Sequence, residues 1–283
     1  MTQHLSYIYL EERYRQPDGP RIFFRSWRPT STPRGIVVIC HGFNSHSGQY
    51  VEIAERITSA GLIVYALDLR GRGRSDGPRF RIDDISEYVS DVDAVIQVAK
   101  SRDSELSVFL LGHSAGGVTS ATYALDYANN LAGLICESFA LRVPAPKAAL
   151  AVIKGVSRLF PDLPVLRLKN RDFTRDSEAL ERLNADPMVL KETQPAATVA
   201  AMVRANERLE REFSRITLPI FVLHGTADKA TLPSGSEMFV RHVKSEDKTL
   251  KLYEGHYHDL LADIKKDEVL QDILNWIETR VAQ

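Results

Sequence analysis

Ser114 stands in Gly112-His113-Ser114-Ala115-Gly116, which has the form G-x-S-x-G. That spacing suits a sharp turn from strand to helix, with glycines on both sides so that the two elements can approach and a serine oxygen held clear of the sheet edge. A serine hydroxyl is a weak nucleophile by itself. To act on a carbonyl it needs a base to take its proton, an acid to orient the base, and N–H donors for the oxyanion. Downstream, Asp228 lies in His224-Gly225-Thr226-Ala227-Asp228-Lys229 and His258 in Tyr253-Glu254-Gly255-His256-Tyr257-His258-Asp259. Taken singly, Asp228 reads equally well as a turn former or helix cap, and a loop histidine carries little information. What singles the three out is chain order: nucleophile, acid, base.

The elements that would hold these residues are legible around them. Val108 to Leu111 is a short apolar run leading into Gly112, and Val118, Ala121, Thr122 and Leu125 give helical spacing behind the serine. Gly35 to Cys40 and Leu62 to Leu67 are also continuous apolar runs, the pattern of strands covered on both faces. A helix is expected from near Ser47 to Gly61, another over 85–99, and further strands at Leu131 to Cys136, Ile220 to Leu223 and Thr249 to Tyr253, with a C-terminal amphipathic helix over 269–281. Residues 7–10 and 21–28 read as an antiparallel edge hairpin turning at Gln16-Pro17-Asp18-Gly19-Pro20. This alternation predicts an α/β fold, a mostly parallel, doubly wound sheet with helices on both faces. Each candidate residue then follows a strand. His41-Gly42-Phe43-Asn44 follows an early one, where an oxyanion donor is needed, so the backbone N–H groups of Phe43 and Ala115 are the candidate donors and His41 is expected to hold the loop by hydrogen bonds.

The rhythm breaks over 143–216, where six prolines punctuate short amphipathic segments and no convincing strand is seen. We read this stretch as a helical cap inserted into a core formed by 1–142 and 217–283. Its apolar side chains, such as Val152, Leu159, Phe160, Val199 and Met202, are expected mostly to dock the cap on the body, with a minority facing substrate.

Charge balance and residue spacing narrow the partners. There are 36 Lys and Arg against 37 Asp and Glu, a net charge of -1, which argues against nucleic acid as the main partner. No apolar run is long enough to span a bilayer, and Met1-Thr2-Gln3-His4 lacks the features of a secretory signal, so a cytoplasmic protein is expected. Cys40 and Cys136 lie in strand-like runs and read as small buried hydrophobes. No His, Cys, Asp or Glu spacing resembles a metal site, and no cofactor is expected. The loop Asp68-Leu69-Arg70-Gly71-Arg72-Gly73-Arg74-Ser75 fits neither a P-loop nor a dinucleotide turn, and its arginines read as a solvated or salt-bridged surface turn.

At this point the chain resembles the α/β-hydrolase fold serine hydrolases, and within them the monoacylglycerol lipases and lysophospholipases of the serine aminopeptidase S33 type. The likeness is carried by His41-Gly42-Phe43-Asn44-Ser45-His46-Ser47-Gly48-Gln49-Tyr50, by the Ser114 pentapeptide, by Asn184-Ala185-Asp186-Pro187 and by 247–255. It implies a catalytic triad of Ser114, Asp228 and His258, oxyanion donors at Phe43 and Ala115, and a mobile apolar cap admitting a lipid-like ester; transient contact with a membrane surface through the cap stays open as a separate reading, with no basic amphipathic helix to mark it. The implied chemistry is two-step acyl transfer to water. Small-ester or thioester hydrolysis and ligand binding without turnover are the other readings of the same site. Three residues depart from the pattern. His256 stands two positions before His258 and is a candidate substrate contact; Arg72 occupies a place where the family commonly has histidine; and Glu137, at a strand end, reads as a surface carboxylate, a polar substrate contact or an auxiliary acid.

Overall fold

The computed structural model describes residues 6–15, 17 and 19–281. Met1 to His4 and the turn residues Gln16 and Asp18 lie outside the described residues.

The chain opens with strands β1 (Tyr7–Arg15) and β2 (Arg21–Pro29), which pair antiparallel as the edge hairpin. It continues through β3 (Gly35–Cys40), α1 (Val51–Ser59), β4 (Leu62–Leu67), α2 (Ile85–Arg102), β5 (Val108–His113), α3 (Ala115–Tyr127) and β6 (Gly133–Glu137). Then come α4 (Lys147–Val156), β7 (Pro164–Leu166), α5 (Ser177–Ala185), β8 (Gln194–Pro195) and α6 (Ala196–Glu212), followed by β9 (Ile220–Gly225), α7 (Pro233–His242), β10 (Lys248–Tyr253) and α8 (Lys266–Glu278). Among the described residues eight strands form one sheet in the order β1-β2-β4-β3-β5-β6-β9-β10. From β4 to β10 neighbouring strands run parallel. The chain has the α/β-hydrolase architecture.

Alternation along the central strands explains why helices cover both faces. Ile36, Val38 and Cys40 of β3 join Leu110, Val92, Val118 and Ala121 in one buried cluster, whereas Val37 and Ile39 join Leu111, Ile53, Ile57 and Trp276 in another. A strand with apolar residues at every position therefore feeds two cores. Beside β3 lie β4 on one side and β5 on the other, and the connections leave in opposite directions, so the carboxyl ends of β3 and β5 open on a switch point of the sheet. The 41–44 loop and Ser114 meet there.

β6 and β9 pair directly, Leu134 opposite Ile220 through Glu137 opposite Leu223, although 82 residues separate the end of one from the start of the other. The intervening chain leaves the sheet and returns to the adjacent position. It is helical, as expected, but β7 and β8 form a small antiparallel pair within it. Three residues and two, with prolines at 164 and 195, are too few to show a period-two pattern, which is why the pair is not visible in the sequence. Expected docking also divides unevenly. Val199, Met202, Ala205 and Leu209 of α6 are buried, whereas α4 buries no residue fully, and Val152 (63%), Leu159 (76%) and Phe160 (62%) are exposed. No helix among the described residues is long and apolar enough to cross a membrane. Both cysteines are free and buried, and burial pushes the Cys40 thiol up to about 12.

Candidate active site

The turn after β5 is as tight as its glycines suggest. Ser114 has φ 55° and ψ −117°, a left-handed conformation that costs a non-glycine residue on the order of 1–3 kcal/mol. It is held because the backbone around it is pinned: Ser114 N donates to Glu137 O at 2.9 Å, and Ser114 O accepts from Gly117 N at 3.0 Å and Ala140 N at 3.2 Å. A Cβ on Gly116 would stand 2.2 Å from Cys40 O, so α3 can lie this close to β3 only with glycine there. On the other side, a Cβ on Gly42 would meet Ser114 Cβ at 2.8 Å and Ala115 N at 3.4 Å, which seats the 41–44 loop directly against the serine.

His41 organises that loop. Its Nε2 accepts from Leu69 N at 3.1 Å, which leaves the proton on Nδ1 to donate to Gly42 O at 2.7 Å. Burial holds the ring down at about 4, so it stays neutral. Gly42 O and Phe43 N belong to one peptide plane, and fixing the carbonyl aims the N–H. Ala115 is the first residue of α3, so its N–H has no carbonyl one turn back. Both candidate donors thus border Ser114.

After β9 and β10 the acid and base come together. His258 Nδ1 lies 2.7 Å from Asp228 Oδ2, and both side chains are buried. Asp228 is further held by Thr231 Oγ1 at 2.7 Å, by the N–H groups of Ala230 (2.7 Å) and Thr231 (3.0 Å), and by His224 Nε2 at 3.1 Å. Burial alone would raise this carboxyl, but the His258 and His224 rings and these hydrogen bonds carry it far below the usual carboxylate range. Asp228 is therefore held as the carboxylate. With Nδ1 engaged, Nε2 is the acceptor of a neutral His258, and it has no hydrogen-bond partner among the described residues. Phe173, from the inserted segment, packs edge-on against the His258 ring at 5.0 Å.

The remaining candidates are placed differently. His256 is buried with its ring 5.5 Å from Tyr253 and Nδ1 3.9 Å from Asp263 Oδ2, contacts that do not include Ser114, Asp228 or His258. Glu137 is not a surface carboxylate: it is 0% exposed. The last residue of β6 lies beneath the turn at 260–262, where its Oε1 accepts from Leu261 N at 3.0 Å and its Oε2 has no hydrogen-bond partner among the described residues. Burial first, then the neighbouring Asp259, push its pKa well above the ordinary value, and Asp259 is itself raised to about 6 by burial.

The arginine loop also departs from expectation. Arg70 and Arg74 are salt-bridged, to Asp91 at 2.7 Å and Glu11 at 2.5 Å, but Arg72 is 0% exposed. It is buried because partners from both core and inserted segment surround it: Tyr88, Glu192 and Gln194 accept from the guanidinium, and Phe43 lies beneath it at 4.5 Å. Neither His224, Thr231 nor Glu192 is marked by a sequence motif. Each is found only through its spatial partner.

Known proteins resemble the chain over most of its length. The family described as serine aminopeptidase, S33 matches residues 31–265. A monoacylglycerol lipase of Mycolicibacterium smegmatis is 35% identical over 92% of this chain and 93% of its own. The human monoglyceride lipase is 31% identical over 94% of this chain and 89% of its own. Among solved structures, the Paleococcus ferrophilus monoacylglycerol lipase superposes with a TM-score of 0.82 at 31% identity, covering 92% of this chain and 99% of that one.

Proposed function

Because the chain belongs to the serine aminopeptidase S33 family of hydrolases, we propose that Ser114, His258 and Asp228 act as nucleophile, base and orienting acid in hydrolysing esters of the monoacylglycerol type. The protein is a carboxylic ester hydrolase. His258 Nε2 takes the Ser114 proton as the oxygen attacks the acyl carbon, the alcohol departs with that proton, and water repeats the sequence to release the acid. The developing oxyanion is met by the N–H groups of Phe43 and Ala115. Ser114 N is not a donor, since it is spent on Glu137 O. The observation that carries this reading is the Asp228–His258 contact at 2.7 Å with Nε2 left over, together with a serine held at positive φ.

A single acyl chain is the common feature of monoacylglycerols and lysophospholipids, and the relatives named above favour the former. The exposed apolar side chains of Val152, Leu159, Phe160 and Leu163, with Lys147 and Arg158 beside them, support transient contact of 143–216 with a lipid surface, the role expected of a cap. A cytoplasmic setting agrees with two buried free thiols.

Fluorophosphonate labelling tests the nucleophile: the wild type is expected to be labelled at Ser114 and Ser114→Ala to stay unlabelled. A chain-length series of nitrophenyl esters and monoacylglycerols tests the substrate class. Each methylene that enters an apolar channel contributes about 0.8 kcal/mol, so kcat/KM should climb roughly fourfold per carbon until the channel is filled. No gain beyond short acyl groups would overturn the monoacylglycerol reading.

A further inference from the structure

Two peptide planes flank the Cα of Phe43, and they are held from opposite sides. His41, in the core, fixes the plane that carries Phe43 N–H through its 2.7 Å bond to Gly42 O. The next plane, Phe43 C=O with Asn44 N–H, is held by Glu192, whose Oε1 accepts from Asn44 N at 2.9 Å. Glu192 lies between α5 and α6, so this second hold comes from the inserted segment.

The same Glu192 oxygen accepts from Arg72 Nη1 and from Gln194 Nε2 at 2.6 Å. Arg72 sends its other donors to Tyr88 Oη at 2.8 Å and Gln194 Oε1 at 2.7 Å, and lays its guanidinium over the Phe43 ring at 4.5 Å. One buried ion pair therefore touches Phe43 twice, through the ring and through the following peptide. Asn44 has φ 53°, a left-handed conformation that asparagine accepts more readily than most residues and that turns its N–H onto Glu192. Neighbouring ties bind the loop to the same segment: Asn44 Nδ2 donates to Asn170 Oδ1 at 2.9 Å, and His46 Nε2 lies 2.8 Å from Asp186 Oδ2.

We propose that Glu192 is a positioning residue for the oxyanion hole, with Arg72 as the buried counter-charge of its carboxylate, and that its acceptor oxygen holds the Phe43 N–H in its productive direction only while the 143–216 segment is seated. The pair does not touch substrate. It makes stabilisation of the oxyanion conditional on the cap. This rests on the reading of Phe43 as an oxyanion donor.

Removing one charge alone would leave the other buried and unpaired, which is costly in itself, whereas replacing both is commonly tolerated. The test therefore compares two double variants that lack both charges, Arg72→Met/Glu192→Gln and Arg72→Met/Glu192→Leu. They differ in one respect: the amide oxygen still accepts from Asn44 N–H and the leucine side chain does not. Each is assayed with a soluble nitrophenyl ester, and its rate of fluorophosphonate labelling is measured where circular dichroism shows both folded. We expect Arg72→Met/Glu192→Leu to lose roughly 10- to 10²-fold in kcat and in labelling rate, with KM within about twofold, because a misaimed donor loses part of the 10²–10³-fold effect of a deleted one. Arg72→Met/Glu192→Gln should stay within about fivefold of wild type by the same reasoning. Equal kcat and labelling rates in the two would overturn the proposal, whatever their melting temperatures. Glu192→Asp is the milder second variant, keeping the charge and withdrawing the acceptor by one methylene: lower kcat at constant KM supports positioning, and unchanged kcat refutes it. A wild type that takes no fluorophosphonate would instead refute the reading of Ser114 and leave the two failures distinguishable.

Discussion

The imidazoles of His113 and His258 lie 4.9 Å apart, tilted 47° to each other, yet only His258 has a carboxylate at its Nδ1. Both nitrogens of His113 are buried and, among the described residues, neither meets a side-chain hydrogen-bond partner; burial, followed by the adjacent His258 ring, drives it well below the usual histidine range. Proximity to the serine therefore does not make a base. We expect Asp228→Asn to lower kcat by about 10⁴-fold with little change in KM, since the anion that fixes the tautomer is lost. His113→Asn should fall short of the roughly 10²-fold loss that marks removal of a general base. Steady-state kinetics on one soluble ester checks both; a larger loss at His113 would reverse the assignment.

Gly116 and Gly155 make a contrasting pair for stability. A methyl group at Gly116 would strike two backbone oxygens, Cys40 O at 2.2 Å and His41 O at 2.5 Å, neither of which can swing aside. Gly116→Ala should cost about 3 kcal/mol or more, or abolish folding. At Gly155, in α4, nothing lies within 4 Å, and Gly155→Ala should stabilise by about 0.5–1 kcal/mol through helix propensity. Denaturant melts of the two variants check the elbow packing.

Glu137 predicts a pH dependence of stability. Its folded-state pKa is raised well above 4.5, so at higher pH the folded chain keeps a proton that the unfolded chain has released. Stability then falls as pH rises from about 4.5 toward the folded value, with a slope of at most about 1.4 kcal/mol per pH unit from this group. Glu137→Gln carries no such proton. Its melting temperature should gain on that of the wild type as pH is raised from 5 to 8, and parallel curves would show that the carboxyl is already ionised in the folded protein.

How far the site was legible follows from where each interaction lives along the chain. Ser114, Asp228 and His258 each follow a parallel strand, and a parallel sheet collects its strand ends on one side, so order and local pattern were enough to expect their meeting. Glu137 follows a strand too, but its burial depends on the turn at 260–262 folding over it, more than 120 residues away. Arg72 looked like a surface charge because its surroundings are assembled from Tyr88, Glu192 and Gln194, none of them near in sequence. The exposed face of α4 was misread for the opposite reason: amphipathic spacing says that an apolar face exists, not what covers it.

That exposed face yields the last prediction. Leu159 and Phe160 stand 76% and 62% exposed in the turn that follows α4, so replacing both by serine removes apolar surface without opening a cavity. Folding stability should change by no more than about 0.5 kcal/mol, as for surface positions generally. If the face meets lipid, the double variant Leu159→Ser/Phe160→Ser loses part of the roughly 1.5–3 kcal/mol that burying each such side chain contributes, and its partition onto phosphatidylcholine vesicles should weaken about tenfold or more. Hydrolysis of monoacylglycerol presented in vesicles would fall in step, while turnover of a soluble nitrophenyl ester stays unchanged. An equal loss on both substrates would place these side chains in the acyl path instead, and no loss on either would leave the face without a role in catalysis at a lipid surface.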